Sequence, residues 1–185
     1  DGVWRVRASS VGGGTRARET KDAVIAAAAA SGPGMGLSGR GLAGAGSRAA
    51  AAANALRAES IDVSVEAVTA ATALSGSDGG TNTLTGQSIS IAALTTGIKD
   101  TENPTETRAV HAKGEIIDGD GVRHGSKHTL TSPGDLEILA TGTGLVYGVV
   151  AENGGENSIT TDGLLSIKAT GYLTPTGIAV GTGAS

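Results

Sequence analysis

Two carboxylates in the segment Asp118-Gly119-Asp120-Gly121 have the spacing best suited to binding a metal ion. Acidic side chains two residues apart, with glycine supplying the turn, are how a calcium-binding loop begins. The complete loop needs a third oxygen ligand and a glutamate about six residues after the glycine, but Lys127 stands at that distance from Gly121. A β-hairpin turn needs the same residues and no metal. We therefore interpret the segment as a turn.

The three histidines, His111, His124 and His128, could meet across neighbouring strands. A zinc site needs convergent ligands and a fourth donor. His124 and His128 are separated by an even number of residues, so one strand would place both on the same face, ~13 Å apart. That distance is too large for a shared ion, and we expect both side chains at solvated strand positions beside Lys127.

Catalytic motifs are missing from the rest of the chain. There is no nucleophile elbow, P-loop, dinucleotide fingerprint or pair of acids in a catalytic arrangement. The segment Gly142-Thr143-Gly144 lacks the third glycine and the downstream acid of a nucleotide-binding turn. We expect a protein that is not an enzyme and has no cofactor and no metal. A ligand-binding domain is a further alternative, although small-molecule pockets are usually lined by apolar and aromatic groups, and aromatics are few here.

The composition points instead to an assembly. The 185 residues include 31 Gly but no Phe and no Cys, with Trp4, Tyr147 and Tyr172 as the only aromatic side chains. Aromatic side chains dominate core energetics, so the chain must rely on small aliphatics, on backbone hydrogen bonds or on neighbouring subunits. We favour neighbouring subunits and expect a homo-oligomer. No stretch approaches the ~20 apolar residues that span a bilayer, so no membrane partner is expected.

Charge is distributed unevenly along the chain. Residues 1–60 carry eight Lys and Arg against four acids, a net charge of +4, whereas residues 61–185 carry six against fourteen, a net charge of −8. A basic arm on an acidic body can contact an acidic neighbour, including the body of a second copy. Four excess charges without interleaved aromatics make a weak nucleic-acid patch, so we do not expect a nucleic-acid partner.

Residues 1–15 are predicted to form an extended N-terminal arm. Val3–Arg7 alternates as a short strand does, and Gly12–Gly14 would act as a flexible joint. Trp and Arg are favoured at interface hot spots, and the acidic segment 99–107 is a candidate dock for the arm. A loose chain terminus is the alternative interpretation. The predicted assembly contacts are Val3, Trp4, Arg5, Val6, Arg7, Arg16, Arg18, Glu102 and Glu106.

Residues 16–59 are predicted to form an Ala/Gly-rich helical docking segment. Strong helix formers, including the run Ala26–Ala30, predict one helix over Arg16–Ala30. Ser31–Gly34 would end it, and a second helix is expected over Ser47–Ala58. Such Ala-rich helices carry too little apolar area to fold alone and would have to dock on another surface.

Residues 60–185 are predicted to form a β-domain. Ile61–Val68 alternates cleanly between apolar and polar residues, and further alternating or β-branched runs follow at short intervals. Gly, Pro, Asn and Asp clusters separate the runs and predict turns. Strands at this spacing predict a mainly β protein with an antiparallel β-sandwich or barrel.

Two segments of the predicted β-domain resemble each other. Residues 79–85, GGTNTLT, are similar to residues 154–160, GGENSIT, and Ile89–Ile91 is similar to Leu165–Ile167. Two copies of a turn-plus-strand unit would suit a two-sheet fold, and chance similarity between Gly/Thr-rich turns is the alternative. Two copies are too few for a solenoid, which needs about three or more.

Three motifs lie in the C-terminal part of the chain, namely the Gly134-Asp135 turn, the strand containing Gly148–Val150 and the late turn Ala179–Gly181. Through these motifs, residues 133–181 resemble small tailed-phage head decoration (cement) proteins. It implies a compact β-domain that trimerises on a capsid, with an N-terminal arm on the shell protein.

We therefore expect a non-enzymatic structural protein, a capsid decoration or head-fibre subunit at the virion surface. Its partners would be sister subunits, for example in a trimer, and the capsid shell protein. The alternative is a subunit of an extracellular filament or adhesive fibre at the cell surface. In that case the Val3–Arg7 strand would complete the sheet of a neighbour by β-augmentation.

Overall fold

All regular structure in the described part of the chain is β-strand. The computed structural model describes residues 3–7, 11–12, 16–29, 33–40, 53–77, 79–97, 104–117, 123–181 and 184, with side chains over 54–77, 79–97, 104–114, 125–181 and 184. No helix in this part of the chain is long and apolar enough to cross a membrane. The strands are β1 (Val3–Arg7), β2 (Val11–Gly12), β3 (Arg16–Ala29), β4 (Pro33–Arg40), β5 (Ala53–Ala67), β6 (Ala70–Ser77), β7 (Thr81–Thr95), β8 (Glu106–Ile117), β9 (Arg123–Gly125), β10 (Lys127–Ser132), β11 (Leu136–Thr141), β12 (Leu145–Glu152), β13 (Glu156–Thr161), β14 (Leu165–Thr170) and β15 (Thr174–Val180).

The strands form two sheets in which each strand pairs in parallel with its counterpart one turn of the chain later. In one sheet the order is β1-β3-β5-β7-β10-β13, with β11 between β7 and β14. In the other the order is β2-β4-β6-β8-β12-β15. The chain therefore winds through six stacked coils, made of β1–β2, β3–β4, β5–β6, β7–β8, β10–β12 and β13–β15. This architecture is a parallel β-solenoid. The short strand β9 is the exception among the described strands, because it pairs with β8 in antiparallel fashion.

The long strands of the first sheet divide into two segments in the later coils. The start of β7 pairs with β10, and its end pairs with β11. The same pair of segments recurs as β13 and β14. After its two first-sheet segments, each of these coils turns into the second sheet. The fifth coil ends and the sixth begins at the turn Asn153-Gly154, where φ is 51° at Asn153 and 86° at Gly154. Asn and Gly are the residues that adopt this left-handed conformation most readily.

Small and branched aliphatic side chains from both sheets fill the interior. Ile61, Leu84, Ile91 and Leu130 from the first sheet pack in one cluster with Leu74 and Val110 from the second. No Phe, Tyr or Trp is buried among the residues whose side chains the structure describes. A narrow coil offers room for Ala, Val, Ile and Leu, and each coil gains further burial from the coils above and below it. The low aromatic content thus suits this fold.

The prediction of a mainly β protein is confirmed, but the prediction of an antiparallel β-sandwich or barrel is wrong. Alternation of apolar and polar residues shows only that one face of a strand is buried. It does not distinguish a hairpin from a parallel coil. The turn clusters at Pro133-Gly134 and Asp162-Gly163 direct the chain to the next face of the solenoid, so each strand pairs with the adjacent coil and not with the strand before it.

The predicted helical segment is also wrong. Arg16–Ala29 is strand β3, Pro33–Arg40 is strand β4, and β5 runs across residues 53–59 into the predicted β-domain. Residues 41–52, which hold the start of the second predicted helix, lie outside the described residues. Helix propensity is a weak prior. The 38-residue offset between Asp22 and its partner Ser60 aligns β3 with β5, and this parallel ladder outweighs the preference of the Ala run.

The similarity between residues 79–85 and 154–160 corresponds to equivalent positions in the solenoid. Thr81 pairs with Lys127, and Lys127 pairs with Glu156 in the coil after it. Ile89 is likewise related to Leu165 through Leu136. The coil between the two copies carries the same structure on a diverged sequence, with Lys-His in place of Thr-Asn. The interpretation that two copies argue against a solenoid is therefore wrong.

Candidate assembly surface

Core positions of consecutive coils stack into columns along the solenoid. One column lies in the first sheet and another in the second, and their members in the third, fourth and fifth coils are buried. Ile61, Ile89 and Leu136 are at most 2% exposed, whereas Leu165 of the same column is 43% exposed. Leu74, Val110 and Val149 are at most 5% exposed, whereas Ile178 of the same column is 61% exposed.

The sixth coil, residues 156–181, therefore presents core positions to its surroundings. Its strands β13, β14 and β15 pair on one side with β10, β11 and β12, and no described strand pairs with the opposite side. Such an edge carries a row of N–H and C=O groups able to accept another strand. Large apolar side chains accompany it, since Leu164, Leu165, Tyr172, Ile178 and Val180 are all exposed. Backbone and side chains together make the sixth coil a template for strand addition.

The first coil, residues 3–12, forms the other end of the described stack. Its strand β1 pairs with β3 and its strand β2 pairs with β4, and each is the last strand of its sheet. Of the predicted assembly contacts, Val3 to Arg7 lie on β1, and Arg16 and Arg18 lie on β3. The arm prediction thus falls on an edge strand of the solenoid.

The predicted dock for the arm is placed elsewhere. Glu106 begins β8 in the fourth coil, and its carboxylate accepts a hydrogen bond from Arg108 at 2.6 Å. Glu102 lies outside the described residues. Because two coils separate β1 from β8, the structure does not bring the arm and Glu106 together within one chain.

A ladder of polar side chains runs through the interior along the same axis. Asn54, Asn82, His128 and Asn157 share one register position in four consecutive coils. Asn54 donates from Nδ2 to Asn82 Oδ1 at 2.7 Å, and Asn82 donates to the Ser75 carbonyl at 2.7 Å. Asn157 donates to the Val150 carbonyl at 2.8 Å, but its Oδ1 is buried without a partner among the described residues.

Hydrogen bonding determines the tautomer of His128 in this ladder. Its Nε2 lies 2.9 Å from the carbonyl oxygen of His111, which can only accept, so Nε2 carries the proton. Its Nδ1 lies 3.1 Å from Asn82 Nδ2, an amide donor, and therefore accepts. Burial lowers the pKa of His128 to about 4, because the charged form would lose its hydration. The neutral ring is thus required by the Asn82 amide, which needs an acceptor at Nδ1, and is favoured by burial.

The prediction of a solvated His128 is wrong, since the residue is completely buried. The side chain of His124 lies outside the described residues, as does the predicted turn at Asp118–Gly121. His111 lies at the second sheet with its Nε2 3.3 Å from Glu152, and burial lowers its pKa. No group of three or more metal-binding side chains occurs among the residues that the structure describes. The signal that could have located His128 was the alignment of Lys127-His128 with Thr81-Asn82 and Glu156-Asn157.

The outer face of the second sheet carries a smaller cluster of charged and aromatic groups. Arg108 forms an ion pair with Glu106 and lies over the ring of Tyr147, 5.9 Å from its centroid. These residues occupy neighbouring positions on β8 and β12, where Arg108 and Tyr147 are register partners. The contacts join two adjacent coils on their solvent side, and we assign them a stabilising role.

No family model matches the chain, and no curated protein or solved structure matches it either.

Proposed function

We propose that this chain is a non-enzymatic structural subunit of a fibre that extends by strand addition at the ends of the solenoid. The observation that carries the proposal is the sixth coil, where Leu165 and Ile178 occupy core positions yet are 43% and 61% exposed. Burial of apolar side chains is the dominant favourable term in association. An additional coil would bury these side chains and pair the free backbone edge at the same time.

The geometry of the ends favours a fibre over a closed ring. The first and sixth coils have different sequences, so contact between them is head-to-tail and not self-complementary. Head-to-tail contacts extend into filaments unless a rotation closes them. In a parallel solenoid, each added coil continues the same axis at a rise of about 4.8 Å. Subunits joined in this way would form a straight, unbranched rod.

The decoration role on a capsid stays a prediction and is less favoured than the fibre. The residues that carry the resemblance are distributed over the fifth and sixth coils, with Gly134-Asp135 at a corner and Gly148–Val150 on β12. In this chain they lie on parallel-paired coils of the solenoid and not in a separate compact β-domain. A head fibre on a virion and an extracellular fibre both agree with the proposal, so the virion and the cell surface are both retained as locations, and the shell protein as a partner of the first.

The test is the mass and shape of the purified chain as a function of concentration, by light scattering and negative-stain electron microscopy. We expect rods that lengthen with concentration at constant width. The double variant I178K/V180K should prevent rod formation and leave the chain monomeric, because it places charge on exposed apolar positions of the sixth coil. The matched control is T83K, an exposed position on β7 within the stack, which should leave assembly unchanged. A discrete trimer would support the decoration role instead, and a monomer at every concentration would contradict any assembly.

A further inference from the structure

We infer that the sixth coil binds the first coil of a second copy of this chain, in the register that the solenoid already uses between its own coils. This inference rests on the proposed fibre function and names the contact through which the fibre would grow. Three observations carry it: matching register positions, matching residue types and complementary charge.

The first coil carries apolar residues at the register positions of the core columns. Pairing through β3 places Trp4 in the column of Ile61, Ile89 and Leu136. The same pairing places Val6 in the column of Val63, Ile91 and Ile138, and pairing through β4 places Val11 in the column of Leu74 and Val110.

The same three columns end in the sixth coil at Leu165, Ile167 and Ile178. Stacking a second copy in register would set Trp4 against Leu165, Val6 against Ile167 and Val11 against Ile178. Each contact joins two apolar residues at a core position. Trp4, the largest of the three, would lie against Leu165, which is 43% exposed, and Val11 would lie against Ile178, which is 61% exposed.

Charge is complementary along the axis. The strands of the first two coils hold six Lys and Arg against two acids, a net charge of +4, and residues 127–181 hold two Lys against five acids, a net charge of −3. Opposite potentials steer encounter and suppress wrong pairings. Two heads or two tails would repel each other, whereas a head and a tail attract.

One position opposes the stacking and provides a sensitive test. Arg7 shares its register column with Lys168, so the proposed contact places two basic residues opposite each other. Like charges at directly opposed strand positions are destabilising, and opposite charges are stabilising. The variant K168E should therefore lower the concentration at which assembly is half complete by about threefold or more. No change in K168E would refute this register.

The decisive experiment mixes two blocked variants and measures mass by sedimentation velocity. W4K blocks the first coil, and I178K blocks the sixth. Each variant alone should be monomeric, and an equimolar mixture should form dimers, because each molecule keeps one functional end. Far-UV circular dichroism checks that W4K folds. The K168E measurement tests the same contact without relying on W4K.

The outcomes separate this inference from the fibre proposal. If the unmodified chain assembles but W4K alone assembles equally well, the first coil is not the occupant, and the fibre proposal stands. If the mixture stays monomeric while the unmodified chain assembles, the head-to-tail contact is refuted. If the unmodified chain is monomeric at every concentration, both proposals are refuted.

Discussion

Replacing His128 by Asn should remove a large part of the acid sensitivity of this fold. The equivalent positions in the third, fourth and sixth coils are Asn54, Asn82 and Asn157, so H128N makes the ladder uniform. The buried Oδ1 of Asn157 would gain a donor of the kind that Asn54 supplies to Asn82. That hydrogen bond contributes about 1 kcal/mol, and it offsets a similar loss of ring packing near neutral pH.

The pH dependence has a definite sign and size. The pKa of His128 is about 4 in the folded state, below the ordinary value of 6.5, so the unfolded chain takes up the proton first as pH falls. The contribution to stability is complete above pH 6.5 and is lost as pH falls toward 4. The loss amounts to about 2 kcal/mol at pH 5 and about 3 kcal/mol below pH 4. The H128N variant has no imidazole at this position and therefore lacks this pH-dependent loss of stability.

The assay is urea denaturation of both proteins at pH 7, 6, 5 and 4.5, in dilute solution because the net charge approaches zero near pH 5.3. Carboxylates and His111 titrate in both proteins, so the difference in unfolding free energy isolates His128. H111N is the matched control, because it keeps the backbone carbonyl that binds His128 Nε2 and should retain most of the slope. Parallel losses of stability in H128N and the unmodified chain between pH 7 and 5 would refute the assigned tautomer and burial.

Three further predictions concern stability at neutral pH, all measured by urea denaturation. N82A should destabilise the fold by about 3 kcal/mol, because it removes the donor to His128 Nδ1 and the Oδ1 acceptor of the Asn54 amide in the buried interior. A loss below about 1 kcal/mol would show that repacking compensates for these hydrogen bonds. G125A should cost about 2 kcal/mol or more, because a Cβ at this position would fall on the Gly154 carbonyl oxygen. Its control G177A has open space around the new Cβ and should change stability by less than about 0.5 kcal/mol. Equal effects of the two variants would contradict the close approach of Gly125 to Gly154. K127A should cost less than about 1 kcal/mol although Lys127 lies 2.7 Å from Glu156, because both side chains are more than two-fifths exposed; a larger loss would mean that this pair is stronger than exposed pairs usually are.

The sequence predicted the strands better than their partners. Alternation located β5, β7, β11 and β12, because one face of each is buried and the other is solvated. Nothing in a strand such as Leu136–Thr141 reveals whether its neighbour precedes it by one turn or by one coil. That information lies in the repeated register, which was visible at Thr81 and Glu156 but hidden in the coil between them, where His128 replaces the asparagine.

The Ala-rich segment shows the opposite failure. Ala26–Ala29 has strong intrinsic helix propensity, yet it pairs as a strand with Ser64–Ala67. The hydrogen bonds of a stacked coil come from residues far away in sequence, so local propensity could not anticipate them.

The uneven distribution of charge along the sequence becomes an uneven distribution along the solenoid axis, because the coils stack in chain order. The predicted arm could be recognised as a strand at Val3–Arg7, but not its position at the end of the stack.

Because the described strands of successive coils, β9 apart, pair in parallel and lie across the axis, the protein should respond to pulling in a characteristic way. Tension applied between the two ends would load the inter-coil hydrogen bonds in series and peel a terminal coil strand by strand, at low and nearly constant force. The coil offset of 28 residues between β5 and β7 would release a tether of about 95 Å when fully extended. The solenoid would lengthen in discrete steps under load and dissipate mechanical energy while its remaining coils stay intact.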